Sequence, residues 1–270
     1  RNDQLWASIA QRVDAQRGVE HPNLQSLFAL VSLQRFRFLV AEDPAGLDGA
    51  VEPLSGPLPV LDACRVIRWA ALALAQLHRR GQVHGEFRPG CLCQTSRGGV
   101  FVLREWIRPL PCGDSLSQHE DTLHLLDYLA PELYQPGMLA NPLTDIYALG
   151  CSLYELMVGQ PPFSGGDPAS KQRRHAEAPI DSLADRGVPK DIERVVTYMM
   201  EKNPSVRYQD ASTVAEQLAA CLEPDQLEGV SVAPIPTRDG FIKSLQISQP
   251  GSGPPTSATE APSTERAADP

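Results

Sequence analysis

The sequence predicts an α+β chain that is mostly helical, with a few short strands in its first hundred residues. Three observations carry that expectation. Residues 60–79 place Ala63, Ile67, Ala70, Leu74 and Leu77 at spacings of 4, 3, 4 and 3, which draws one apolar stripe along a helix. A run starting at Asp145 sets Ile146, Leu149, Leu153, Leu156 and Met157 on one face with Cys151 and Tyr154 beside it, so this helix is apolar nearly all round and is expected to be deeply buried. Segments 25–31 and 35–40, parted by a short polar break, read as a hairpin.

The remaining elements follow in order. Residues 4–18 are expected to be helical, and 44–58, with three Pro and three Gly, to be irregular. Leu92 and the run 100–103 predict two short strands around the Gly98-Gly99 turn. Gly159 ends the buried helix and Pro161-Pro162 forbid its continuation. Helices are expected at 189–201, with Pro189 in the first turn followed by Ile192, Val195, Val196 and Met199, and at 211–222. Residues 223–247 read either as short strands (230–236 and 241–247) or as a loosely docked tail. From about Ser248 the chain turns to Pro, Ser, Thr, Gly and Ala, a composition that buries too little apolar area to offset its ordering entropy and so reads as a linker. The expected organisation is 1–43, 44–222 and a largely disordered 223–270.

Composition narrows the function classes. A hydrophobic share of 42% is ordinary for a chain that builds a core. A net charge of −9, from 24 basic and 33 acidic residues with no long run of either sign, argues against a nucleic-acid or membrane-surface binder. No stretch of 18 apolar residues exists to span a membrane. The six cysteines contain no C-x-x-C pair, and Cys91 and Cys93 lack the spacing of a zinc knuckle. Cys64, Cys151 and Cys221 stand in helical patterns among apolar neighbours, which reads as packed free thiols in a reducing, cytoplasmic setting. The chain opens on Arg1 with neither initiator Met nor signal peptide and reads as a piece of a longer polypeptide.

Six short segments, in one order and at consistent spacing, resemble the protein kinases, and among them the bacterial Ser/Thr type. His21, Pro22, Asn23 and Leu24 are similar to the turn after the regulatory helix; Leu39, Val40, Ala41 and Glu42 to the strand that enters the hinge. His84-Gly85-Glu86-Phe87-Arg88-Pro89 stands in the place of the catalytic loop H-R-D-L-K-P-x-N, and Ala130-Pro131-Glu132 is the A-P-E motif. Asp145 through Gly150, with Tyr154-Glu155-Leu156, Gly159 and Pro161-Pro162-Phe163, resembles the central buried helix and its exit; residues 203–208 resemble the late loop that bears an Arg. The resemblance implies a kinase-like fold that is mostly the helical C-lobe (44–222), with a truncated N-lobe of one regulatory helix and two strands (1–43).

It also implies which chemistry is kept and which is changed. Kinase catalysis is positioning and electrostatics: a carboxylate orients the substrate hydroxyl, and two magnesium ions held by a loop Asn and the D-F-G Asp neutralise the phosphates. Among structural positions, Glu132 is expected to pair with Arg207, Asp145 to accept backbone N–H bonds that include those of the loop, and His84 to pack in the core. At the chemical positions, Glu86 replaces the catalytic Asp, Gly85 the loop Arg that reads activation-loop phosphorylation, and Arg88 the loop Lys. Cys91 falls on the metal-binding Asn, and a soft thiol is a poor ligand for magnesium. Arg104 falls on the D-F-G Asp, where a guanidinium repels the ion; a shift of one residue brings Glu105 there instead. Leu125 stands for the Thr that braces the loop, and Arg12 stands near the position of the helix Glu. The hinge residues Ala41, Glu42 and Asp43 are a weak nucleotide-binding candidate. No G-x-G-x-x-G precedes residue 20 and no V-A-x-K strand is present, so those parts are expected upstream of Arg1 if they exist.

The expectation is a pseudokinase, a scaffold or regulatory module with a protein partner, no intact metal site and no cofactor. The alternative is an atypical active Ser/Thr kinase that uses Glu86 as base and Glu105 as metal ligand, with ATP and magnesium. Metal-free anion binding by Arg104 and Arg88 is a third reading, set against plain salt bridges of Arg104 with Glu86 or Glu105. The basic spot Lys171, Gln172, Arg173, Arg174 and His175 reads as a solvated loop or helix face.

Overall fold

The structure, a computed structural model, describes residues 2–33, 36–43, 51–54, 56–95, 99–103 and 124–222. By internal contacts the chain divides into Arg1–Ile235 and Pro236–Pro270, and every described residue belongs to the first unit. The tail expected at 223–270 lies outside the described residues, as does most of the irregular stretch 44–58.

Helix α1 (Asn2–Gln16) is followed by the antiparallel hairpin of β1 (Leu27–Leu33) and β2 (Phe36–Ala41). Ile9 and Val13, one turn apart on α1, meet Leu27 in a small apolar cluster edged by Leu30, Leu39 and Ala41. Leu24 joins the main core instead, and Asn23 donates through Nδ2 to the Val100 carbonyl at 2.7 Å.

A strand lies inside the stretch expected to be irregular. β3 (Val51–Pro53) pairs with β4 (Leu92–Thr95), which pairs with β5 (Val100–Val102), all antiparallel. Pro53 hid it. A proline has no N–H for a ladder and demotes a run in which it falls, but β3 is an edge strand, where Pro is tolerated.

Helix α2 (Val60–Arg79) buries the expected stripe together with Cys64, Val66, Ala71, Ala73 and Ala75, and packs chiefly on the last helix and on the central one. The central helix α3 (Pro142–Val158) begins three residues before Asp145. Asn141 is its cap: Oδ1 accepts from Leu143 N–H at 2.9 Å and Thr144 N–H at 3.3 Å, while Thr144 Oγ1 accepts from Asn141 N–H at 3.0 Å. Leu143, inside this box, carries the stripe of Ile146 and Leu149 back by one turn, so the helix starts a turn earlier than a reading from Asp145 places it. Gly159 ends α3 at φ 88°, a left-handed C-cap.

Helix α4 (Pro168–Glu177) carries the basic spot, and α5 (Lys190–Met199) and α6 (Ala211–Ala219) close the fold. Pro189 is the cap of α5 rather than part of its first turn, and both last helices stop two to three residues earlier than their apolar pattern runs. The chain is thus α+β and mostly helical among the described residues, with one large core shared by α2, α3, α5 and α6. No helix among them is long and apolar enough to cross a membrane.

The crossing of α3 and α5 runs over a glycine. A Cβ on Gly150 would lie 2.7 Å from Met200 Cγ and 2.9 Å from Met199 Cβ. Gly150→Val is therefore expected to lower the unfolding free energy by about 1–3 kcal/mol through overpacking, read as a lower urea midpoint at an unchanged slope.

Candidate functional site

The site is built around the carboxylate of Asp145 in the first turn of α3, which is 1% exposed. Its Oδ2 accepts from His84 N–H at 2.8 Å, its Oδ1 from Gly85 N–H at 2.8 Å, and His78 Nε2 of α2 lies 2.9 Å from Oδ2. Both backbone donors come from the loop 84–91, so α3 fixes the loop through charge-assisted bonds. Gly85 takes φ +84°, a left-handed conformation that an Arg there would adopt only with strain. His84 is buried; its Nε2 lies 2.9 Å from the Leu103 carbonyl, and its ring meets Phe87 edge-on with centroids 5.6 Å apart. Glu86 and Arg88 follow on the same loop, both half-buried.

Cys91 faces inward. It is fully buried in a short 3-10 turn, and its thiol donates to the Glu86 carbonyl at 3.5 Å. A magnesium ligand at this position would have to present a hard oxygen to the cleft; the side chain present is a soft sulfur turned into the protein. Of the two metal positions, this one does not fit the ion. The other, Arg104 or Glu105, lies outside the described residues, as does any contact of Arg104 with Glu86 or Glu105. A cavity of about 30 Å³ lies between the loop and the segment before α3, lined by Gly85, Glu86, Phe87, Leu125, Tyr128 and Asp145. That is room for a water or two.

Glu42, the middle hinge candidate, is bonded to the residues just before β1. Glu42 is buried; its N–H donates to the Ser26 carbonyl at 2.8 Å, its Oε2 accepts from Ser26 N–H at 3.0 Å, and its carbonyl accepts from Gln25 Nε2 at 3.0 Å. Ala41 closes β2 opposite Leu27, and Asp43 is exposed.

The structure adds two residues from α1. Arg12 Nη2 donates to the His84 carbonyl at 3.4 Å and Gln16 Nε2 to the Val83 carbonyl at 3.2 Å. Burial lowers the Arg12 pKa, and the charges of Glu86 and then Asp145 oppose that shift. The available signal was spacing: Arg12 and Gln16 are i and i+4 and flank Val13, so they share the inward side of α1.

Away from the loop, Arg207 meets Glu132 fork to fork, Nη1 to Oε1 and Nη2 to Oε2, each at 2.8 Å. Its remaining N–H groups donate to the carbonyls of Glu201 at 2.7 Å, Leu143 at 3.0 Å and Lys202 at 3.3 Å, so all five donors of the guanidinium are used. The basic spot is not wholly solvated. Lys171 is buried in an ion pair with Asp127, and His175 is fully buried against Tyr134, Tyr147 and Phe163, with Nδ1 2.9 Å from the Tyr147 hydroxyl. Helical spacing explains the error: Lys171 and His175 are i and i+4 on the inner side of α4, while Gln172 and Arg173 point outward. Burial pushes His175 down to about 3, helped by the charges of Lys202, Lys171 and Arg174.

Comparison with known proteins adds a family. The family model described as protein kinase domain matches residues 113–221. The Ser/Thr-protein kinase PknB of Mycobacterium leprae is 29% identical over 227 residues, 81% of this chain and 36% of that protein. PrkC of Bacillus subtilis is 27% identical over 212 residues, 77% of this chain and 33% of that protein. PknL of Mycobacterium tuberculosis is 31% identical over 170 residues, 62% of this chain and 42% of that protein. The chain thus spans between a third and just over two fifths of the length of these relatives.

Two measurements check the polar framework. Arg207→Ala leaves Glu132 buried without its counter-charge and is expected to cost about 3–5 kcal/mol in urea unfolding. His175 sits near 3 when folded against an ordinary 6.5, so the unfolded chain binds the extra proton and stability falls as pH drops from about 6.5 toward 3. His21, pushed down to about 4 by burial and then by Arg79, acts in parallel. His175→Gln removes its own share alone: the slope of unfolding free energy between pH 6 and 4 is expected to shrink by about one proton relative to the parent.

Proposed function

Since the chain belongs to the protein kinase superfamily, as a bacterial Ser/Thr kinase-like domain, we propose that it works as a pseudokinase, a scaffold or regulatory module that acts by binding a protein partner. The observation that carries this reading is Cys91. Its thiol is fully buried and bonded to the Glu86 carbonyl, at the position where a kinase presents an oxygen ligand to magnesium. Among the described residues no group of three or more His, Cys, Asp and Glu is placed to hold a metal ion. Glu86 keeps a carboxylate at the base position but carries it one methylene further out, and a displacement of the order of an ångström can cost about 100-fold in rate.

A second reading has its own support. Asp145 holds the N–H groups of His84 and Gly85, so the loop that carries Glu86 keeps a fixed backbone, and the relatives are named as Ser/Thr protein kinases. On that reading Glu86 is the base of an atypical kinase that transfers phosphate from ATP to protein, with Glu105 the one carboxylate able to hold magnesium.

Thermal unfolding with ATP, with and without magnesium, separates the two when run on the protein together with any lobe upstream of Arg1, where the active reading places the Gly-rich loop and its Lys. The pseudokinase reading expects no magnesium-dependent rise in Tm. A rise of several degrees that chelator abolishes, together with phosphate transfer to a protein substrate that is lost in Glu86→Gln, would establish the active kinase instead.

A further inference from the structure

The backbone of residues 83–85 is held from two sides by side chains of opposite charge character. On one side Asp145 accepts the N–H groups of His84 and Gly85. On the other, Arg12 and Gln16 of α1 donate to the carbonyls of His84 and Val83. His84 therefore has its N–H on a carboxylate and its C=O on a guanidinium, on two different helices. Gln16 is 1% exposed, and Ile9 and Val13 anchor the same stretch of α1 on the hairpin cluster. Gly85 lies alongside the guanidinium: a Cβ there would be in van der Waals contact with Arg12 Nη2 at 3.6 Å and with Ala140 Cβ at 3.5 Å.

We propose that Arg12 is a built-in counter-cation of the 84–91 loop, and that with Gln16 it locks α1 onto this loop through the carbonyls of His84 and Val83. The positions concerned change together within the one chain. An arginine stands on α1 near the place where the resemblance expects a glutamate, a glycine stands where the loop is expected to carry an arginine, and a glutamate takes the base position. The positive charge has moved from the loop to the helix. These bonds tie α1 to the loop within the chain itself, so the lock needs no added group to form. This inference stands whether or not the chain transfers phosphate.

Hydrogen exchange on the full chain, followed on peptides covering 9–16 and 82–87, tests the lock. Glu86→Gln, an isosteric change, removes the carboxylate whose charge most favours the charged form of the half-buried guanidinium; exchange is expected to speed up in both peptides, by about threefold or more. Acceleration confined to 82–87, or in neither, overturns the lock. Arg12→Gln gives the second measurement. Its effect on the unfolding constant in the parent is expected to exceed its effect in the Glu86→Gln background by about fivefold, and Arg12→Lys, which keeps the charge and loses the fork, is expected to recover part of the parent's protection. Equal effects in the two backgrounds overturn the counter-cation role, even though the activity question of the previous section would be untouched. Should Arg12→Gln fail to fold, the Glu86→Gln pattern decides alone.

Discussion

The carboxylate of Asp145 is the point on which the rest of this structure hangs. A buried carboxylate without partners is costly by several kcal/mol, and here two backbone N–H groups and the His78 ring converge on its two oxygens. Because Asp145 belongs to α3, His78 to α2 and the N–H groups to the loop, one side chain joins the two helices at the heart of the core to the segment that carries Glu86. The apolar packing of α2 against α3 is non-directional and would tolerate small shifts. The directed bonds at Asp145 remove that freedom and set the loop relative to the core.

A second tier of charges repeats the principle further from the loop. Arg207 uses all five of its donors on Glu132 and three carbonyls, and Lys171 meets Asp127 beneath α4. Between them lies an aromatic box: Lys202 Nζ sits 4.4 Å from the Phe163 ring centroid, Arg207 4.8 Å from that of Tyr147, and His175 within ring contact of both rings. Burial, and then the nearby charge of Arg207, brings Lys202 down to about 8. Such networks are poor contributors to net stability compared with an apolar core, but they define one arrangement of the chain, since each broken pair leaves a buried charge.

Much of this was legible in the sequence, and what was not has physical reasons. The stripe of α2 and the all-round apolarity of α3 announce themselves because periodicity is the signal that burial imposes. The start of α3 is less plain, since its cap, Asn141 with Thr144, is polar and shows in hydrogen bonds rather than in periodicity. β3 is concealed by Pro53, whose meaning depends on whether the strand is an edge, a tertiary fact. Lys171 and His175 look solvated because the sequence shows the charge of α4 and not the buried Asp127 and Tyr147 that receive it. At the site, the residue types at 86, 91 and 145 could be read directly, whereas the partners Arg12, Gln16 and Gln25 could not: they lie about 17 to 72 positions from the groups they touch, and neither pattern nor spacing reports such distances.

Several polar groups in and beside the site are spent within the chain itself. In an enzyme that binds a metal–nucleotide pair, the cleft must keep hard donors and open acceptors facing outward, unsatisfied until the ligand arrives, and that strain is tolerated for function. Here the chain answers many of these groups itself. The Cys91 thiol goes to the Glu86 carbonyl, the Glu42 carbonyl takes Gln25, and the carbonyls of Val83 and His84 take Gln16 and Arg12. Each internal bond adds on the order of 1 kcal/mol to the folded state and raises by a similar amount the cost of turning the same group toward a ligand. A loop bonded internally at these groups gains rigidity, and a ligand that used the same groups would first have to break those bonds.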